Sequence, residues 1–224
     1  MEIIKGKGEI VIKQQNYVKC ILEKYSMQDC KPRSTPLDRD VKLEKYNDSK
    51  PCDQKLYQEM LGSLMFLATR TRPDIACAVT LLSKYTRDPR NIHLTALKGV
   101  LRYLNGTQST GLRFTPDRLD VKGLSDASWR NPPEKSITGY VYSIGKNILS
   151  WTSKQQLVTP LSTCDAELYA LGSCAKKGIW VKFFLEELFG KLGIIQLLCD
   201  NQSAISIAKS GYTSNNSNHL IRLA

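Results

Sequence analysis

"IIQLLCDNQSAISIAKSG", Ile194 to Gly211, is the stretch on which the fold class turns. Its apolar run ends at Asp200 and reads as a buried strand. The residues directly after Asp200 carry apolar side chains at helical spacing and stop at Gly211. A strand that feeds straight into a helix is the repeating piece of α/β architecture.

The segments upstream fit the same reading. A helical stretch covers about 162–189. Before it, "GLRFTPDRLDVKGLSDASW", "TGYVYSIG" and "NILSWTS" alternate apolar and polar residues at hairpin spacing. Three strands, a helix, a strand and a helix predict an α/β sheet domain over 118–224. Residues 1–117 read differently. An opening hairpin around Gly6 and Gly8 leads to a helix that Asn16 could cap, then to an extended, exposed connector rich in Pro, Asp, Ser and Lys. Three helical patterns come next, one opening at Pro73 and one closing at Gly106, and Leu56, Met60, Leu64 and Leu67 have the spacing of a core face. A mainly helical module therefore precedes the sheet domain.

Composition narrows the function classes. The chain has 224 residues and 42% hydrophobic content, enough for a substantial core. No apolar run reaches membrane-span length and no signal-peptide pattern opens the chain, so an intracellular protein with no membrane partner is expected. Cys20, Cys30, Cys52, Cys77, Cys164, Cys174 and Cys199 are scattered without a CxxC pair, which favours reduced, buried thiols over disulfides or a zinc motif. Two histidines, His93 and His219, give little basis for a Ser/His/Asp triad. The formal net charge is +11, with 20 basic against 13 acidic residues over 1–117 and 12 against 8 over 118–224. A basic surface of this kind suits a polyanion such as nucleic acid, although charge alone is also common in proteins that bind none.

Three acids stand where acids are out of character. Asp126 ends the strand "VKGLSD", Asp200 ends "IIQLLCD", and Asp165 or Glu167 lies in the first turns of the helix between them. Strand ends of an α/β sheet are where ligands gather, and converging carboxylates repel one another until divalent cations fill the space. Magnesium suits such hard oxygen donors, and paired ions can activate a water and stabilise the leaving oxygen of a phosphodiester. The plainer alternative makes Asp126 and Asp200 turn formers or helix caps. Asp165 and Glu167, two apart on a helix, point in nearly opposite directions, so one site can use only one of them. A stripe drawn through Leu168, Leu171, Ala175 and Ile179 passes between the two and leaves the choice open. Trp129, three residues after Asp126, is either a stacking group for nucleic acid or half-buried packing. Trp151 and Trp180 read as core. Arg70 and Arg72 in "TRTRPD" are either phosphate contacts or a solvated face, and the basic stretches on both sides favour phosphate.

"GLSDASW", "KSITGYVYSIGKNILSWTSKQQ", "LSTCDAELYAL" and "CDNQSAISIAK" resemble, in order and spacing, the motifs of the ribonuclease H domain of copia-type LTR retrotransposon Pol polyproteins. "STPLD", "YQEMLGSLMFLATRTRPDIACAV" and "LKGVLRYLNGT" resemble the thumb or connection segment that joins the reverse transcriptase to it. The resemblance implies a mixed five-stranded sheet with helices, cleavage of the RNA strand of RNA–DNA hybrids, and Mg²⁺ (or Mn²⁺) held by carboxylates. It also implies the rest of a Pol polyprotein as partner, and a cytoplasmic (virus-like particle) or nuclear location. The family motifs carry the metal ligands onto Asp126 and Asp200. The first Glu of the family's Ser-Thr-Glu-Ala-Glu motif falls on Asp165, with Glu167 left solvent-facing or beside the ligands. His219 matches a position associated with product release, and Ile221 stands where the family has a fourth Asp.

Departures shape the expectation. An Asp for a Glu shortens the carboxylate's reach by roughly 1.5 Å, and metal sites tolerate little misplacement. With the divergent end at Ala224, this predicts a ribonuclease H weakened or lost in a decayed element copy. The alternatives are a remnant that binds nucleic acid without cutting it, and a translated fossil with no task. The polymerase Tyr-x-Asp-Asp turn is absent from the sequence, so reverse transcription is not expected of it.

Overall fold

The computed structural model describes residues 1–38, 43, 49–129 and 135–210. The chain forms two compact units, Met1–Thr115 and Pro116–Ala224.

In the first unit, β1 (Glu2–Gly6) and β2 (Glu9–Lys13) form an antiparallel hairpin whose turn places Gly8 at φ +79°, the left-handed region that glycine enters without strain. β3 (Gly111–Phe114) returns to pair with β2, giving the sheet order β1-β2-β3. The helices are α1 (Gln15–Lys24), α2 (Gln54–Arg70), α3 (Ala76–Ser83) and α4 (Asn91–Gly106). A 3-10 turn at Pro73–Ile75 leads into α3, with the proline at the first position, where its missing N–H costs nothing. Asn16 does not cap α1, which starts one residue earlier; the Asn16 N–H instead donates to Glu2 Oε1 at 2.8 Å. Met60, Leu64 and Leu67 are buried on α2 as their spacing predicts, joined by Tyr57, whose hydroxyl donates to the Leu82 carbonyl at 2.7 Å. From α4, Leu97, Val100, Leu101 and Leu104 complete this core.

The second unit is a mixed α/β layer. β4 (Val121–Ser128), β5 (Ile137–Ile144) and β6 (Asn147–Gln155) are successive antiparallel strands. α5 (Thr163–Phe189) crosses to β7 (Gln196–Leu198), which pairs parallel with β4, and α6 (Gln202–Ser210) comes after it. The sheet order among the described residues is β6-β5-β4-β7, four strands where the family resemblance implies five. α5 packs on β4 and β5. Tyr142 of β5, fully buried, joins the two layers: its hydroxyl donates to the Cys174 carbonyl at 2.6 Å and accepts from the Cys174 thiol at 3.3 Å. A Cβ on Gly178 would lie 2.5 Å from that hydroxyl, and one on Gly123 would lie 2.7 Å from the ring, so two glycines make room for one tyrosine.

Several sequence expectations fail: of the seven thiols read as buried only Cys174 is, with Cys20 and Cys77 exposed, and Trp151 is partly buried rather than core. The run before Asp200 is a three-residue edge strand in which Gln196 and Leu198 are exposed, and Ile194 is 98% exposed. An apolar run signals burial only where a neighbouring layer covers both faces. Trp180 is not core: 53% exposed, it stacks on Phe184 along the outer side of α5, with Lys177 Nζ 3.5 Å from its ring centroid.

Candidate functional site

Ser162 caps the start of α5, its hydroxyl accepting from the Asp165 N–H at 3.1 Å. Asp165 lies in the first turn, where a carboxylate complements the exposed N–H groups of the helix start. Two residues on, Glu167 points elsewhere. The buried side of α5 runs through Ala170, Cys174, Gly178, Val181 and Leu185, and Glu167 stands at its head, 7% exposed.

Glu167 is thus the helix acid that meets the sheet. Its Oε1 accepts the Ala127 N–H of β4 at 3.2 Å, next to Asp126, and its Oε2 lies 3.9 Å from Cys199 Sγ, next to Asp200. Ligand atoms of Glu167, Cys199 and Asp200 all fall within 4.8 Å of one another. Burial pushes the Glu167 carboxyl above its ordinary range, the Ala127 N–H pulls it back, and the negative charges of Asp126 and Asp200 push it up again. A buried carboxyl pressed by two anions is a place where a cation is favoured.

Of the two positions expected for Glu167, facing solvent or beside the ligands, the structure excludes the first, and Glu167 rather than Asp165 is the acid turned toward β4. Of the stripe that passes between them, Leu168 and Ala175 are buried, but Leu171 is only partly so and Ile179 is 53% exposed, so the centre of the buried face lies one position toward the N-terminus. The in-phase signal is present in the sequence: small and apolar residues recur at spacings of three and four from Glu167 to Leu185. With the buried acid a Glu, the shortening argued from Asp165 does not apply to the buried position.

Asp126 and Asp200 are both exposed; β4 runs on past Asp126 to Ser128, so Asp126 does not end its strand as its sequence suggests, whereas Asp200 lies just after β7. The ligand atoms within 4.8 Å of one another are those of Glu167, Cys199 and Asp200 and not that of Asp126. Asp200 does not cap the next helix; Asn201 does, its Oδ1 accepting the Ala204 N–H at 2.9 Å. Gln156, fully buried, fixes the start of α5 against the sheet: its Nε2 donates to the Ala166 carbonyl and to Thr138 Oγ1, each at 3.0 Å. Thr138 pairs with Ala127, so this amide holds α5 beside the strand residue that Glu167 bonds. Sequence reading misses Gln156, whose only signal is a polar residue closing an amphipathic strand. Burial also pushes the Cys199 and Cys164 thiols up.

The remaining candidates divide. Trp129 is partly buried at the end of β4, and its indole N–H is without a partner among the described residues. Arg70 is exposed, its guanidinium 5.8 Å from the Phe66 ring centroid. Arg72 is 1% exposed and internally bonded, contrary to a phosphate-contact role. Its Nη2 donates to Asp74 Oδ2 and to Thr107 Oγ1, each at 2.7 Å, and its Nη1 donates to the Thr107 carbonyl at 3.0 Å. His219 and Ile221 lie outside the described residues. Among the described residues no helix is long and apolar enough to cross a membrane.

No family model matches the chain. Over 98% of its length it is 36% identical to a retrovirus-related Pol polyprotein from transposon TNT 1-94 of Nicotiana tabacum. Over 86% it is 34% identical to one from transposon RE1 of Arabidopsis thaliana. The chain spans 17% and 13% of the length of these two relatives. An uncharacterized mitochondrial protein of Arabidopsis thaliana is 34% identical over 76% of the chain, which covers 72% of that protein.

Proposed function

Because the chain belongs to the copia-type retrotransposon Pol polyproteins, we propose that its second unit is a ribonuclease H domain that hydrolyses the RNA strand of RNA–DNA hybrids. Asp126, Glu167 and Asp200 are its metal-holding carboxylates. The observation that carries this reading is the buried Glu167 carboxyl, set against β4 and the chain just after β7, whose acids press on it electrostatically. Carboxylate donors fit Mg²⁺, with Mn²⁺ as a substitute ion. The metal would supply the charge that activates water and stabilises the leaving oxygen of a phosphodiester.

The chain's own residues do the placing. The Ala127 N–H occupies one lone pair of Glu167 and aims the other oxygen toward the Asp200 side. Asp126 and Asp200, open to solvent, are the carboxylates that an approaching backbone meets first. Both units carry more basic than acidic residues, which draws a polyanion to the surface, and Arg70 is free to contribute. The first unit corresponds to the thumb or connection segment of the reverse transcriptase, without a polymerase centre of its own.

The test is cleavage of a labelled RNA–DNA hybrid by the full chain in Mg²⁺. Asp126→Asn, Glu167→Gln and Asp200→Asn should each lower the rate by about 100-fold or more, and Asp165→Asn should leave it within a few fold. Cleavage that survives Glu167→Gln, or that disappears with Asp165→Asn while circular dichroism is unchanged, refutes the assignment. Hybrid bound but never cut would leave a nucleic-acid-binding remnant instead.

A further inference from the structure

We propose that Glu167, Cys199 and Asp200 also form a binding site for a thiophilic divalent ion, Zn²⁺ or its analogue Cd²⁺, overlapping the carboxylates assigned to magnesium. Magnesium does not use a thiolate, so its chemistry gives Cys199 no part to play. Yet Cys199 Sγ lies 3.9 Å from Glu167 Oε2, and the three ligand atoms fall within 4.8 Å of one another. In a tetrahedral zinc site the usual bond lengths put a sulfur and an oxygen ligand about 3.6 Å apart. The observed pair is already near that separation, and Asp200, exposed, closes the rest by side-chain rotation.

A second observation points the same way. Glu167 is more than nine-tenths buried, and its Oε2 has no donor among the described residues beyond this thiol. The charges acting on it from Asp126 and Asp200 are both negative. An ion that displaces the thiol proton to solvent leaves a thiolate and two carboxylates around a dication. The two ends of the site come from α5 and from the chain just after β7, so the donors belong to folded elements and not to one flexible loop. Zinc held here competes with magnesium and stops hybrid cleavage. That inhibition rests on the function proposed above; the binding itself does not.

The experiment is a Cd²⁺ titration of the reduced full chain, read by thiolate-to-cadmium charge-transfer absorption, with Zn²⁺ as competitor. One tight equivalent is expected. Cys199→Ser and Cys199→Ala should both remove its absorption and weaken binding by at least tenfold, Glu167→Gln should weaken it, and Cys20→Ser and Cys77→Ser should not. Absorption that survives both Cys199 variants overturns the proposal, as does saturation only at the concentrations at which magnesium binds. A parallel hybrid-cleavage assay at fixed Mg²⁺ separates the two readings. Tight Cd²⁺ at Cys199 with no cleavage sinks the ribonuclease reading alone. Zinc that inhibits the Cys199 variants as strongly as the parent, each relative to its own magnesium-supported rate, sinks this one.

Discussion

Arg72→Ala should destabilise the first unit severely while Arg70→Ala leaves it nearly unchanged. The Arg72 guanidinium spends its donors inward, on both carboxylate oxygens of Asp74 and on the carbonyl and hydroxyl of Thr107, at 1% exposure. Its removal leaves Asp74 with the Tyr103 hydroxyl, at 2.9 Å, and whatever water its 28% exposed side chain can recruit. The Thr107 carbonyl loses its guanidinium donor, at about 1–3 kcal/mol for an unsatisfied group. Removing one member of a buried ion pair costs about 3–5 kcal/mol. Because Asp74 is partly hydrated, we expect the lower part of that range, about 3–4 kcal/mol, a fall in Tm of roughly 12–16 °C for a unit of this size. Arg70, on the surface, should stay within about 0.5 kcal/mol. Urea and thermal unfolding followed by far-UV circular dichroism measure this; tryptophan fluorescence does not, since Trp129, Trp151 and Trp180 all belong to the second unit. An Arg72→Ala protein that melts with the parent and loses hybrid affinity would show that the guanidinium faces phosphate after all.

In EDTA at neutral pH, Glu167→Gln should stabilise the second unit even as it removes activity. The folded carboxyl titrates above its ordinary value of 4.5 through burial and the charges of Asp126 and Asp200, so the folded state binds more protons and stability falls as pH rises through that interval. The gain over the parent should vanish below about pH 4.5, and an unchanged or lower Tm at pH 7 would contradict it. Gly178→Ala should destabilise by about 1–3 kcal/mol through overpacking against the Tyr142 hydroxyl, despite the roughly 1 kcal/mol that helix propensity returns. The cost should shrink in a Tyr142→Phe background; an additive double mutant argues against the clash. Affinity for an uncleaved hybrid should fall linearly in log–log form with added salt, and a salt-independent Kd would remove the backbone-binding view.

Most of the element order is legible because each segment carries its own periodicity. The start of α5 next to Ser162, the β5–β6 hairpin and the α2 face of Met60, Leu64 and Leu67 all come from local spacing. Local pattern does not say which neighbour covers each face. The Asp165–Glu167 choice hangs on one residue of helical phase, and only contact with β4 settles which acid turns inward. Arg72 escapes sequence reading because nothing in "TRTRPD" tells a solvated guanidinium from one folded back on Asp74 and Thr107. The run before Asp200 reads as buried because apolar content does not reveal whether a strand lies inside a sheet or at its rim.

The pairing of β7 with β4 joins Lys122, Gly123 and Leu124 to Gln196, Leu197 and Leu198, with all of β5, β6 and α5 lying between them in the chain. A contact that closes so long a loop through three residues at a rim forms late and opens easily. Glu167 reaches β4 through a contact that does not involve β7, whereas Asp200 is positioned by β7. Loosening this rim strand would therefore release Asp200 and Cys199 while leaving Glu167 held against Ala127 of β4.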